Sequence, residues 1–154
     1  MIMKYFFALA ILCCLSFTAI AQSQNPNYNK ALADSLGADD YGMKQYVLAI
    51  LKTGSNTTTD KDKLNQYFRG HMENIGKLVK EGKLVVAGPL GKNDKNYRGI
   101  FILNAKTVEE ARKMVETDPA VQAKVFDVEL YPWYGSAALP VYLDTHSIIS
   151  KENP

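Results

Sequence analysis

Cysteine is nearly absent from this 154-residue chain: its two copies, Cys13 and Cys14, are neighbours inside the first 21 residues, and none follows. Everything beyond residue 21 is therefore without disulfides, a thiol nucleophile or a cysteine-ligated metal. Histidine is as scarce, with only His71 and His146 far apart in the chain, so no metal site and no cofactor is expected. No charge of one sign dominates: 18 basic and 16 acidic side chains leave a formal net charge of +2. Phosphate backbones are bound by clustered lysine and arginine, so nucleic acid is not an expected partner. Long apolar runs are missing as well. The most apolar stretch, Phe6 to Phe17, is about 12 residues long, short of the ~20 needed to cross a bilayer. Gly88-Pro89-Leu90-Gly91 is followed by neither a Lys-Ser/Thr pair nor an expected helix, which excludes a phosphate-cradling loop and leaves a turn.

What is present suits one folded unit. With 47% apolar, 22% charged and 10% aromatic residues the chain can bury a core, and its length allows a single domain. Lys4, the apolar run to Ile20 and the small residues of Ala19-Ile20-Ala21 have the form of an export signal over residues 1–21, cleaved after Ala21. The protein is accordingly expected to be exported, periplasmic or secreted, with no membrane association after cleavage. Residues 22–43 are polar and broken by Asn, Pro, Gly and Asp, and read as a linker.

Hydrophobic periodicity places the elements of a domain over residues 44–133. Gln45 to Leu51 is an apolar run of strand length. From Lys61 to Glu81, the residues Leu64, Tyr67, Phe68, His71, Met72, Ile75, Leu78 and Val79 recur at helical spacing, within an arc of roughly 140°. Thr59 and Asp62 are the expected capping pair at its start, and Gly82 supplies its left-handed end. Lys83–Ala87, stopped by Gly88-Pro89, and Tyr97–Leu103 are the next two strands. Thr107-Val108-Glu109-Glu110 matches a reciprocal capping box at the start of a second helix, which Asp118-Pro119 ends. Val125–Trp133 is the last strand, with Phe126, Val128 and Leu130 on one face.

The order is β-α-β-β-α-β, a ferredoxin-like α+β domain with an antiparallel sheet. Two helices cover one sheet face, yet the strands carry apolar side chains on both. A homodimer packed sheet to sheet is the preferred cover for the second face, and the tail of residues 134–154, with Leu139, Pro140, Val141, Tyr142 and Leu143, is the other.

His71 sits near the middle of the helical arc and points inward. It is either a core histidine bonded to the backbone or a general acid or base set by a nearby carboxylate. Two carboxylates are candidates. Asp118 precedes a proline, which equally makes it the N-cap of a short helix over Pro119–Ala123, and Asp94 lies in the Gly91–Asp94 loop, where a solvated turn residue is the plain reading. Spacing alone pairs neither with His71. Arg69 and Arg98 are cations able to hold an anionic ligand, with a solvated face as the alternative.

Phe68-Arg69-Gly70-His71, Glu81-Gly82-Lys83-Leu84-Val85-Val86-Ala87-Gly88-Pro89, Gly99-Ile100-Phe101, Val108-Glu109-Glu110-Ala111 and Thr117-Asp118-Pro119-Ala120-Val121, in that order, resemble the YCII-related domain family over about residues 44–133. The resemblance implies a dimeric ferredoxin-like α/β barrel with a small-molecule pocket holding a histidine and an aspartate, which map to His71 and Asp118. Arg69 and Asp94 are the expected substrate-binding residues beside them. A dehydrochlorinase-like activity on chlorinated hydroquinone derivatives is known for one branch of the family. This chain departs from the family with Ala120 after Asp-Pro, where an aromatic residue is common, and with Pro132-Trp133 in place of a final Pro-Phe. The expected function is an exported, cofactor-independent protein that moves a proton on a small organic molecule with His71 and Asp118. The alternative is a non-catalytic module, either small-molecule-binding or structural.

Overall fold

The computed structural model describes residues 25–151, so the expected signal at residues 1–21 lies outside the described residues. The chain forms two units, residues 1–30 and 31–154. Of the first, residues 25–30 are described, and they hold a turn closed by the Tyr28 N–H donating to Asn25 O at 3.0 Å. Helix α1 (Lys30–Leu36) begins at the last residue of the first unit, and the second unit continues with β1 (Met43–Thr53), α2 (Lys61–Lys80), β2 (Leu84–Pro89), β3 (Tyr97–Leu103), α3 (Val108–Val115), α4 (Pro119–Gln122), β4 (Phe126–Ser136), a 3-10 turn (Leu139–Val141) and α5 (Tyr142–Ile149). The four strands form one antiparallel sheet in the order β2-β3-β1-β4. This is the expected ferredoxin-like α+β arrangement.

Helix ends follow from local hydrogen bonding. The start of α2 is capped by Asp60, whose Oδ1 accepts from the N–H groups of Asp62 at 3.0 Å and Lys63 at 3.1 Å, and not by the expected Thr59 and Asp62. Its end turns on Gly82 at φ +67, with Lys83 N–H donating to Leu78 O at 2.9 Å, a closure that only glycine enters without strain. At α3, Thr107 Oγ1 accepts from Glu110 N–H as expected, but the returning Glu110 carboxylate bonds Lys106 N–H, one residue before the cap.

The strands are longer than periodicity indicates because ladder bonding continues past the apolar residues. β1 pairs with β4 over its full length, from Met43 opposite Ser136 to Thr53 opposite Phe126. β2 continues through Gly88 and Pro89 instead of stopping before them, and Pro132 lies inside β4. Both are edge strands, whose outer side asks for no N–H donor. Residues 22–43, expected to be linker, contain α1 and a loop fastened to the domain. There Asp39 Oδ2 accepts from the Tyr134 hydroxyl at 2.5 Å and Oδ1 accepts from Met43 N–H. The tyrosine bond holds the Asp39 carboxyl below its ordinary pKa. Its contribution is thus complete above that ordinary value and is lost as pH falls through the lowered one.

One sheet face carries the main core. Val47, Ala49 and Leu51 of β1, Phe101 and Leu103 of β3, Leu84 and Phe126 pack against Leu78 of α2 and Ala111, Met114 and Val115 of α3. The other face carries Tyr46, Val85 and Ile102, with Leu48, Val86 and Trp133 around them. A register shift between Leu84 and Val86 makes Val85 the extra residue of a bulge, so Val85 and Val86 both join this second cluster. Leu139 of the tail packs there too, and the Tyr142 hydroxyl donates to Val85 O at 2.5 Å. The tail therefore covers this part of the second face. Leu139→Ala is expected to lower stability by about 1–2 kcal/mol, less than a fully buried leucine would cost. Urea unfolding followed by the fluorescence of Trp133 checks this, and an unchanged midpoint would show that the tail contributes no cover.

Candidate functional site

The site is built where α2 meets the turn between α3 and α4. The arc of apolar residues on α2 carries His71 onto the sheet, leaving its side chain 13% exposed. Its ring stacks on Phe101 of β3, with centroids 5.9 Å apart and planes 20° apart, and meets Phe126 of β4 edge-on at 5.1 Å. Phe68, one turn before it on the helix, also meets Phe126 edge-on, with centroids 5.9 Å apart. Two strands and one helix thus fix the ring in a slot of aromatic surface.

Asp118 arrives from the other side and is 1% exposed. Its extended backbone and the proline after it start α4, and its Oδ1 accepts from Ala120 N–H at 2.8 Å. Its Oδ2 bonds His71 Nδ1 at 2.5 Å. The cap and the histidine partner, alternatives on sequence grounds, are the same side chain used through its two oxygens. An ionised carboxylate only accepts, so opposite ionised Asp118 the hydrogen of this bond lies on Nδ1, and a neutral ring then keeps its lone pair on Nε2. Among the described residues no buried side-chain nitrogen or oxygen lacks a partner, and Nε2 bonds no protein group, so Nε2 is the nitrogen that opens to solvent. The result is an oriented imidazole, a backing carboxylate and one accessible basic nitrogen.

The other two expected residues lie apart from this pair. Arg69 is exposed and follows Phe68 on the helix, two residues from His71 and so about 160° around the axis from it. Asp94 is exposed in the β2–β3 loop. Nor do the best-formed hollows of the surface include His71. One, of about 240 Å³, lies between α2 and α3 and is lined by Lys77, Glu81, Lys83 and Lys113 among others. The second, of about 490 Å³, lies by the β2–β3 loop and is lined by Leu90, Asn93, Tyr97 and Arg98 among others. Beneath the His71 ring the space is taken by Phe101 and Phe126. Among the described residues no group of three or more His, Cys, Asp or Glu is placed to hold a metal ion, and no helix is long and apolar enough to cross a membrane.

Sequence reasoning missed the aromatic slot. Its signal was available in part, since Phe101 and Phe126 take inward positions on strands whose register with β1 sets them on the helix-covered face.

The model of the YCII-related domain matches residues 45–134. None of the curated proteins matches the sequence. Among solved structures the chain is similar to the 5-chloro-2-hydroxyhydroquinone dehydrochlorinase of Burkholderia phenoliruptrix AC1100 in complex with 2,5-dihydroxybenzoquinone. The identity is 23%, the TM-score is 0.39, and the match covers 56% of this chain and 92% of that one.

The two tasks of Asp118 separate by substitution. Asp118→Ala removes the cap, worth about 0.5–2 kcal/mol, and strands a mostly buried imidazole nitrogen at a further cost of about 1–3 kcal/mol. Asp118→Asn keeps an oxygen for Ala120 N–H and is expected to cost under about 1 kcal/mol, but it turns an amide donor toward Nδ1 and forces the hydrogen to Nε2. Denaturant unfolding and the ¹⁵N shifts of the imidazole check both outcomes.

Proposed function

The chain belongs to the YCII-related domain family, and from this membership and the His71 and Asp118 geometry we propose that it is an exported, cofactor-independent protein that transfers a proton on a small organic molecule. The observation that carries this reading is the 2.5 Å bond between Asp118 Oδ2 and His71 Nδ1, with Nε2 left accessible. As general base, Nε2 takes a proton from an acidic C–H or O–H of the ligand. The bonding electrons then form a double bond, either by moving within the ligand in an isomerisation or by expelling a leaving group on the neighbouring carbon in an elimination. The imidazolium formed is stabilised by the Asp118 carboxylate and returns its proton to the ligand, the leaving group or water. Positioned proton transfer of this kind contributes ~10²–10⁴-fold.

The second reading is a non-catalytic module that binds a ligand at the open edge of the imidazole, the aromatic floor of Phe101 and Phe126 supplying the apolar contact. Deuterium exchange separates the two even where the product is unidentified. Hydroxylated and halogenated aromatics and enolisable ketones are incubated with the protein in D₂O and followed by ¹H NMR. Catalysis is expected to wash out one C–H signal at a rate that His71→Ala lowers at least ~100-fold. Washout unaffected in His71→Ala would remove the catalytic role, and ligand shifts without washout would establish the module.

The protein is further proposed to act as a homodimer. Ile50 and Ile100, paired across β1 and β3, continue the second sheet face outside the cluster capped by Leu139, and Tyr131 of β4, opposite Leu48, is 46% exposed. A second copy packed there would bury this strip. Light scattering at tens of micromolar is expected to give twice the monomer mass for the wild type and the monomer mass for Ile100→Lys. A wild-type monomer excludes the assembly.

A further inference from the structure

Three consecutive residues of the α3–α4 turn rest on one stretch of α2. Thr117 Oγ1 bonds Asn74 Oδ1 at 2.9 Å, Asp118 bonds His71, and the ring of Pro119 lies against Gly70. A Cβ built on Gly70 would stand 2.8 Å from Pro119 Cγ and 3.1 Å from Pro119 Cβ. The proline ring is closed on its own backbone and has no rotamer by which to withdraw, so a side chain at position 70 would displace the residue next to Asp118. Glycine is a poor residue for the interior of a 20-residue helix, and α2 contains a second one, Gly76, where an added Cβ would meet nothing within 4 Å. The two glycines therefore differ in kind. Asn74 is 8% exposed and its Oδ1 faces the Thr117 hydroxyl, whose single hydrogen is shared with Met114 O at 2.7 Å, which ties the contact to the last turn of α3.

We propose that Gly70 and the Asn74–Thr117 bond are positioning elements that set the separation of His71 and Asp118, the first by permitting close approach of α2 to Pro119 and the second by pinning the opposite flank of the aspartate. The proposal rests on the acid–base reading for its functional meaning, but its geometric content is measurable without turnover. Neither element touches the open nitrogen of His71. Both act through the aspartate, which they hold from either side along about one turn of helix.

The test compares Gly70→Ala, Gly76→Ala and Thr117→Val with the wild type by ¹⁵N and ¹H NMR of the imidazole, with thermal unfolding as a second reading. The wild type is expected to show the Nδ1–H tautomer with a downfield proton bonded to the carboxylate. Gly76→Ala is expected to keep that signal and raise Tm, since it adds a better helix former in open space. Gly70→Ala and Thr117→Val are expected to weaken or lose the downfield proton. Where the exchange assay above finds a substrate, Gly70→Ala is expected to slow washout by about 10–100-fold, the scale of a misplaced catalytic group. Should Gly70→Ala fold poorly, Gly70→Ala combined with Pro119→Ala removes Cγ, the nearest ring atom in the way, and is expected to recover both fold and downfield proton. A wild-type signal in Gly70→Ala, or no recovery in the double variant, overturns the role of Gly70, and a wild-type signal in Thr117→Val overturns that of the Asn74 contact. Washout unaffected by His71→Ala would instead defeat the acid–base reading while leaving the positioning result standing.

Discussion

The carboxylate of Asp118 is the constraint on which the site depends. It is buried to 1% exposure, and neither oxygen is spare: one ends the backbone deficit at the start of α4 and the other holds the imidazole. A buried carboxylate without such partners would be costly to keep ionised. The local fold thus supplies the stabilisation that lets the group stay in place, and the same contacts fix its direction toward His71. Structural and chemical demands meet in one residue, so the turn between α3 and α4 is as much a part of the site as the ring it faces.

The sheet sets the other side of that arrangement. Phe101 and Phe126 belong to strands on either side of β1, and the register of both with β1 brings their rings under the same point of α2. The imidazole therefore has an aromatic floor, a carboxylate at one nitrogen and an open edge at the other. The slot is narrow because two rings fill it.

Much of this was legible in the sequence, and the limits have physical causes. The apolar arc of α2 identifies His71 as inward-facing, and the bounds of β3 coincide with its apolar run, Tyr97–Leu103. Strand ends were shorter than observed because β1 and β4 go on pairing through residues of no apolar preference, such as Lys44 opposite Gly135. The cap of α2 moved to Asp60 because several neighbouring polar residues can accept from the same amides, and only the backbone path selects one. Pairing His71 with Asp118 over Asp94 needed the packing of α2 on the α3–α4 turn, a contact between residues 47 positions apart that no local pattern encodes. The bulge at Val85, which turns an extra side chain to the second face, was likewise hidden, since an apolar run of Leu84, Val85 and Val86 reads the same with or without it.

Both outer strands of the sheet contain a proline, Pro89 in β2 and Pro132 in β4. A rim that lacks an amide hydrogen in each strand makes a poor template for an incoming chain, and the sheet is guarded at both margins against growing sideways into fibrils. Any neighbour is thereby steered from the rims to the broad surfaces of the sheet, where side chains and not backbone decide whether it is accepted.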